Sequence, residues 1–211
     1  LIHSDRRIKT NIVDVPDNLA LEMLRNIPCK YYNYKDILHR GEQTTIGFIA
    51  QEVKEVFPMA VETGPDIIPD EYRMLDNFTW EEINDNKYNL HCDLQDCSGV
   101  TYRFIVTNDL DDENDEESID IVGNEDNTFT FEKQYSHVFV YGKQVEDFNS
   151  LNKSKLFTVA FSALQEVDRQ QQADKANIAS LETQVSTLES ENATLKTRIA
   201  DILQRLTNAN I

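Results

Sequence analysis

Ile178-Ala179-Ser180-Leu181-Glu182-Thr183-Gln184-Val185-Ser186-Thr187-Leu188 opens a run in which apolar residues return every three or four positions, continuing through Leu195, Ile199, Ile202 and Leu206, with Asn192 in the one vacant place. That is a heptad seam. A helix from Ile178 to Leu206 would be about 43 Å long at about 1.5 Å per residue, and its apolar stripe is too narrow for an ordinary core helix, so it requires partner helices. Ile and Val at one seam position with Leu at the other favour two strands, while polar layers fix register. The seam alone does not choose between two strands and three. A hairpin within one chain would need a second long helix, which the sequence does not supply.

The same register runs backwards through two polar layers, Asp174 and Gln171, to Val167, Leu164, Ala160 and Phe157, and no proline or glycine follows Gly142. A helix is expected from near Leu151 onward. Between Gly64 and about Val145 the texture changes. Proline-rich Pro65-Asp66-Ile67-Ile68-Pro69 is followed by strand candidates at Val100–Val106, Thr128–Glu132 and His137–Tyr141, which together predict a small antiparallel insert. Between the first two lies the acidic run from Asp109 to Glu117, whose like charges repel and predict a solvated hairpin loop. Asp109, Asp111, Glu113 and Asp120 resemble a calcium loop, but the sixth place is Asn114, where such a loop needs glycine.

Ahead of the insert, Ile8 to Val15 alternates as a strand does, and Pro16-Asp17-Asn18 opens a helical pattern with Leu19, Met23, Leu24 and Ile27 on one face, ended by Pro28. An aromatic strand, Lys30 to Tyr34, precedes a polar turn through Gly41 and the apolar run Ile46 to Ala50. Gln51 to Phe57 then has helical spacing and stops at Pro58. The stretch up to about Thr63 reads as a compact α+β unit.

Composition narrows the partners. Lysine and arginine total 20 against 38 acidic residues, and a net charge of −18 repels phosphate backbones and anionic lipid heads, so neither nucleic acid nor membrane is an expected partner. No run approaches the ~20 apolar residues of a membrane span, and the first residues lack the long apolar stretch of a secretion signal. The three cysteines, Cys29, Cys92 and Cys97, do not form a disulfide framework. Zinc on Cys92, Cys97 and His91 lacks a second ligand pair at finger-like spacing, so reduced thiols are expected, with no metal and no cofactor.

A catalytic reading is open at Ser4-Asp5-Arg6-Arg7-Ile8-Lys9. A serine hydroxyl becomes a nucleophile when something takes its proton, and a neutral lysine amine can do so. Free lysine titrates near about 10.4, and bringing it to about 7 destabilises the charged form by about 4 kcal/mol. Burial or nearby cations such as Arg6 and Arg7 must provide that. The spacing does not itself juxtapose Ser4 and Lys9, because an odd offset on a strand places two side chains on opposite faces. A bend or a neighbouring subunit has to bring them together. On spacing alone, a capping serine beside a solvated basic stretch is the simpler reading.

The combination of Ser4-Asp5-Arg6-Arg7-Ile8-Lys9, Tyr31-Tyr32-Asn33-Tyr34, Gly47-Phe48-Ile49-Ala50-Gln51-Glu52-Val53 and Phe57-Pro58-Met59-Ala60-Val61 resembles the intramolecular chaperone auto-processing domain of phage endosialidase tailspikes, other viral fibres and the myelin regulatory factor. The resemblance is specific from Ser4 to Glu62 and looser from Tyr141 to Gln172, where Leu156-Phe157 and Ala163 to Asp168 are similar to the family's return helix. It does not cover Gly64 to Tyr135. It implies a C-terminal homotrimeric chaperone that folds an upstream fibre segment of the same polypeptide in the host cytoplasm and cuts itself off between His3 and Ser4. It also implies Ser4 as nucleophile and Lys9 as general base. Arg7 holds the motif's arginine place, Asp5 orients Lys9 or the chain, and Gln51 and Glu52 are structural or position the pair. Because Leu1, Ile2 and His3 precede Ser4, the sequence reads as an uncut precursor fragment or a poorly cleaving member.

The expected fold class is α+β: a small mixed core with an antiparallel β insert and a long trimeric coiled-coil helix. The expected parts are a chaperone core over 1–63, an acidic insert over 64–145, a return helix over 146–170 and an oligomerisation helix over 171–211. A non-cleaving trimerisation tip, with an insert that contacts a receptor, is the alternative.

Overall fold

A computed structural model describes residues 3–84 and 86–208, with Glu113 described by its backbone alone, so Leu1, Ile2 and the last three residues of the expected oligomerisation helix lie outside the described residues. The described chain divides into two compact units, one built from residues up to Asn26 together with those from Ser154 onward, the other from Ile27–Lys153. The class is α+β.

The first unit contains a single 3-10 turn at Arg6–Ile8, helix α1 at Asp17–Asn26 and most of helix α4 at Lys153–Asn208. Pro16 and Asp17 suit a helix start, and Pro28 blocks continuation. The buried face of α1 is Ala20 and Leu21, followed by buried Ile27, whereas Leu19, expected on that face, is 46% exposed. The strand expected over Ile8–Val15 does not form. Ile8 belongs to the turn, Asn11 takes a positive φ of 51°, and residues 9–16 join no ladder among the described residues. Alternation makes a strand only where a neighbour takes up the N–H and C=O groups, and a left-handed residue breaks the extended run.

Helix α4 has 56 residues, about 84 Å at about 1.5 Å per residue. Its first turns bury Leu156, Val159, Ala163 and Glu166 on one face. Asp17 ties α1 to this stretch, accepting from Ser162 Oγ at 2.5 Å and from Arg169 Nη2 at 2.6 Å, while Arg169 also pairs with Glu166. A second apolar face is uncovered along the whole helix, from Phe157, Phe161 and Leu164 through Leu181 and Leu188 to Ile202.

In the second unit, β1 at Lys30–Tyr32 pairs antiparallel with β2 at Thr45–Gly47, and the short helix α2 at Ile37–Arg40 lies between them in sequence. Asp36 caps α2 by accepting from His39 N, and Gly41 closes it at φ 75°, so part of the expected polar turn is helical. Helix α3 at Ala50–Val56 is stopped by Phe57 and Pro58, and a 3-10 turn, Pro58–Ala60, leads into β3 at Val61–Ile67. The remaining strands are β4 at Arg73–Met74, β5 at Thr79–Asn84, β6 at Lys87–His91, β7 at Thr101–Thr107, β8 at Glu117–Val122, β9 at Phe129–Phe131 and β10 at His137–Leu151. One sheet runs β3-β10-β7-β8 with β4 on β10, and another runs β5-β6-β9, all antiparallel.

Strands β7, β9 and β10 occupy the three expected positions. Strand β10 runs on to Leu151, pairing first with β7 and then with β3. Its register shifts between Val140 and Gly142. Gly142 has φ 153°, and a Cβ there would fall 2.0 Å from Ile68 O, so this corner requires glycine. The expected insert borders, 64 and 145, fall inside β3 and β10, where Gly64 pairs with Phe148 and Val145 with Asp66. The core of the unit is aromatic. Phe104 and Phe129 are fully buried with ring centroids 4.8 Å apart at 70°, an edge-to-face arrangement.

A buried carboxylate joins α2 to this framework. Asp36 accepts from His39 N at 3.1 Å, from His39 Nδ1 at 3.0 Å, from Tyr72 Oη at 3.3 Å and from Tyr141 Oη at 3.0 Å. Burial pushes its carboxyl up, but the His39 backbone and ring and the Tyr141 hydroxyl outweigh that and hold it below the usual value. Asp36→Ala is expected to reduce the unfolding free energy by about 2–3 kcal/mol in urea titrations, because two tyrosines and a histidine lose a charged partner. The native carboxyl titrates below the unfolded one, so its stabilisation is present above about pH 4 and disappears as pH falls through the folded value. Asp36→Asn is therefore expected to flatten the acid limb of the stability profile.

Candidate active site

The bend that Ser4 and Lys9 require is the 3-10 turn. Ile8 N donates to Asp5 O at 3.2 Å and Lys9 N to Arg6 O at 3.1 Å, which reverses the chain within four residues. Asp5 caps the turn, its Oδ1 accepting from Arg7 N at 2.8 Å. The same carboxylate takes Arg7 Nε at 3.0 Å and Nη2 at 2.8 Å, a two-pronged pairing with fixed geometry. Lys9 Nζ consequently reaches Ser4 Oγ at 2.6 Å.

The side chains divide by what they touch. Asp5 and Arg7 contact each other and hold the backbone, while Ser4 and Lys9 form the pair with chemistry open to it. Arg7 lowers the Asp5 carboxyl through its side-chain and backbone hydrogen bonds, and its own guanidinium is raised by the same contact. Its charge is thus compensated locally, which leaves Arg6 as the guanidinium of the turn without an ion pair among the described residues. His3, Ser4 and Lys9 are exposed. The ammonium of Lys9 donates to the hydroxyl, and a proton moves the other way only when the amine is neutral.

Gln51 and Glu52 belong to the second unit. Gln51 is exposed on α3. Glu52 Oε1 lies 3.2 Å from Lys30 Nζ, and Glu52 Oε2 is buried without a hydrogen-bond partner among the described residues. The apolar members of the neighbouring motif are packing residues: Val53 and Ala60 are fully buried and Phe57 nearly so. Gly47 faces Lys30 across the β1–β2 pair, where an added Cβ would meet the Tyr32 hydroxyl at 2.8 Å.

The other candidate ligands are engaged elsewhere. Asp115 accepts from Asn108 N, Thr107 Oγ1 and Asp109 N, which lowers its carboxyl. Asp109 and Asp112 accept from backbone N–H groups two residues on. Asp120 forms a two-pronged pair with Arg103 at 2.7 and 2.8 Å. Of the acidic residues of the expected calcium loop, Asp109 and Asp120 are therefore engaged within their own hairpin, and the side chain of Glu113 lies outside the described residues. His91 pairs with Glu81 at 3.0 Å, Cys97 is fully buried and Cys29 is exposed, while burial pushes the Cys92 and Cys97 thiols up. No group of three or more His, Cys, Asp or Glu could hold a metal ion among the described residues. No helix among them is long and apolar enough to cross a membrane.

The Asp36–His39 pair with Tyr72 and Tyr141 was not legible in advance. Its signal is an Asp three residues before a His and five before Gly41, a capped short helix that reads as a polar turn until Tyr141, far along the chain, supplies its hydroxyl.

The chain is 32% identical over 237 aligned residues to a viral protein named "Uncharacterized protein VP1", from Micromonas pusilla reovirus (isolate Netherlands/2005). The alignment takes in 90% of this chain but 12% of that protein, so the chain spans about an eighth of its relative's length. The model of a peptidase family described as "Chaperone of endosialidase" matches residues 4–62, the stretch that holds the Ser4–Lys9 turn, the tyrosine strand and helix α3. Over residues 4–62, the chain carries a domain of the chaperone-of-endosialidase family.

Proposed function

We propose that the chain is an intramolecular chaperone of a viral fibre or tailspike. In this reading it gathers as a homotrimer through α4, helps the upstream fibre segment of its own polypeptide to fold in the host cytoplasm, and then releases itself by cleavage between His3 and Ser4. The observation that carries the reading is the 2.6 Å hydrogen bond between Lys9 Nζ and Ser4 Oγ, inside the segment that matches the chaperone family. Residues 1–63 act as the auto-processing core, 64–145 as an insert, 146–170 as the return segment, whose expected helix begins only at Lys153 because residues 146–151 still belong to β10, and 171–211 as the oligomerisation helix.

The reaction is a single turnover. Ser4 Oγ attacks the carbonyl carbon of His3 while Lys9, neutral, takes the hydroxyl proton. The carbon–nitrogen bond to Ser4 breaks, Lys9 passes the proton to the departing α-amine, and the upstream chain is left as an ester on Ser4 Oγ. Lys9 then activates a water that hydrolyses the ester, giving a carboxylate at His3 and a free Ser4. Asp5 and Arg7 support the pair by holding the turn, while Gln51 and Glu52 are structural or help to position it. Trimerisation serves the chemistry because excluding water disfavours an ammonium relative to an amine. Its use is kinetic, since a fibre that has lost its chaperone has no easy route back and is held by its unfolding barrier.

The exposure of Ser4 and Lys9 in the single chain favours a second reading, a trimerisation tip that no longer cuts. Mass spectrometry on a chain extended through its natural upstream segment separates the two. Release of a fragment with Ser4 at its first position is expected under the first reading, and an intact chain under trimeric conditions overturns it.

A further inference from the structure

A cleft of about 560 Å³ opens in the second unit between α2 and strands β3, β7, β8 and β10, well away in sequence from Ser4 and Lys9. Its volume lies in the range of about 300–1,000 Å³ usual for small-molecule sites. The cleft combines two groups of opposite demand, unpaired cations and free acceptors, and both are needed to decide what it fits.

Asp36 lies among its lining residues but offers a ligand little. Its two oxygens already take four donors, so its charge is masked. An ionised carboxylate only accepts, so His39 Nδ1 carries the proton between them, and Nε2 is the ring nitrogen left to a ligand, an acceptor whenever the ring carries a single proton. His39 therefore enters the cleft as an oriented hydrogen-bond acceptor. Asp66 adds a second one. Its Oδ1 accepts from Ile67 N at 2.8 Å, and lone pairs remain for a ligand.

Lys35 and Arg40 supply positive charge from either end of the α2 segment, and neither forms an ion pair among the described residues. Arg40 is held over the Tyr34 ring, 5.2 Å from its centroid, which fixes the guanidinium without consuming its hydrogen bonds. Arg103 also lines the cleft, but Asp120 already compensates it. In a chain of net charge −18, two uncompensated cations beside one cleft are a local exception. A simple inorganic anion would meet them but would be repelled by Asp66. A neutral sugar would satisfy the acceptors and leave both cations idle. Pro69 and Phe148 add an apolar wall suited to the C–H face of a ring.

We propose that this cleft binds a polyhydroxylated carboxylate, the chemistry of an acidic monosaccharide, with the carboxylate on Lys35 and Arg40 and hydroxyl groups donating to His39 Nε2 and Asp66. The site is independent of cleavage, so it is tested in the full chain bearing Ser4→Ala, and its failure leaves the proposed self-cleavage untouched. Glucuronate, glucose and inorganic phosphate are titrated in turn, with backbone amide shifts as the readout. Glucuronate is expected to saturate at millimolar concentration, with glucose and phosphate each at least about tenfold weaker. Lys35→Ala and Arg40→Ala are each expected to weaken glucuronate by about fivefold or more with unchanged melting temperature, since both side chains are exposed. Absence of saturable glucuronate shifts, equal binding of glucose or of phosphate, or affinity unchanged in Arg40→Ala would each overturn the assignment.

Discussion

Lys9→Ala is expected to slow the appearance of the Ser4-initiated fragment by about 10²–10⁴-fold, and Ser4→Ala to abolish it. The reason lies in the 2.6 Å contact between Lys9 Nζ and Ser4 Oγ. Without an acceptor at that distance the hydroxyl keeps its proton, and without the hydroxyl there is nothing to attack the His3 carbonyl. Lys9→Arg is the sharper variant. It preserves length and charge, so it preserves any purely structural role of a cation beside Ser4. A guanidinium does not lose its proton in proteins, however, so it cannot serve as the base. Cleavage as low in Lys9→Arg as in Lys9→Ala is the expected result, read by mass spectrometry over time at constant chain concentration. Near-native rates in Lys9→Arg would assign the proton transfer to another group. Asp5→Ala is expected to do less, about tenfold, because its carboxylate holds the turn through Arg7 and touches neither reacting atom.

The parts of the fold legible in the sequence are those decided locally. Pro16, Pro28 and Pro58 bound α1 and end α3 because a proline lacks the N–H a helix interior needs, and the glycine-free stretch after Gly142 becomes the 56-residue α4. The parts that were not legible depend on distant partners. Ile8 to Val15 alternates as well as β8 does, yet β8 has β7 beside it and residues 9–16 have no ladder partner among the described residues. Strand β5, Thr79–Asn84, is exposed at all positions but Trp80 and interrupts its strand-favouring Thr79, Trp80 and Ile83 with two glutamates, so no clean alternation marks it. It forms because β6 pairs with it and β9 secures β6 from the other side. The site divides in the same way. Ser4 and Lys9 could be named from the motif, but their meeting depends on a 3-10 turn whose cap, Asp5, and clamp, Arg7, become visible only as geometry. The Asp36 network draws on Tyr72 and Tyr141, which no local window contains.

The largest effect on assembly is expected from the double substitution Leu188→Asp and Leu195→Asp. Light scattering should move from three chains of 24.4 kDa each to one. In the single chain these two seam residues are 57% and 53% exposed, although they lie seven residues apart on one face of a continuous helix. Covering each leucine in a bundle is worth about 1.5–3 kcal/mol, and three chains contribute the gain three times over. Carboxylates at the same places remove it and crowd six like charges into one seam. The second unit keeps its own aromatic core around Phe104 and Phe129, so its near-ultraviolet signal should persist while the mass falls. Cleavage is the decisive companion measurement. The turn that joins Ser4 to Lys9 is made within six residues of one chain and needs no neighbour to form. If cleavage nevertheless disappears with the oligomer, assembly must act on the protonation or the water exposure of the amine rather than on its placement. If isolated chains cut at the trimer's rate, the coupling between assembly and release is wrong, whatever the oligomeric state of the unsubstituted chain.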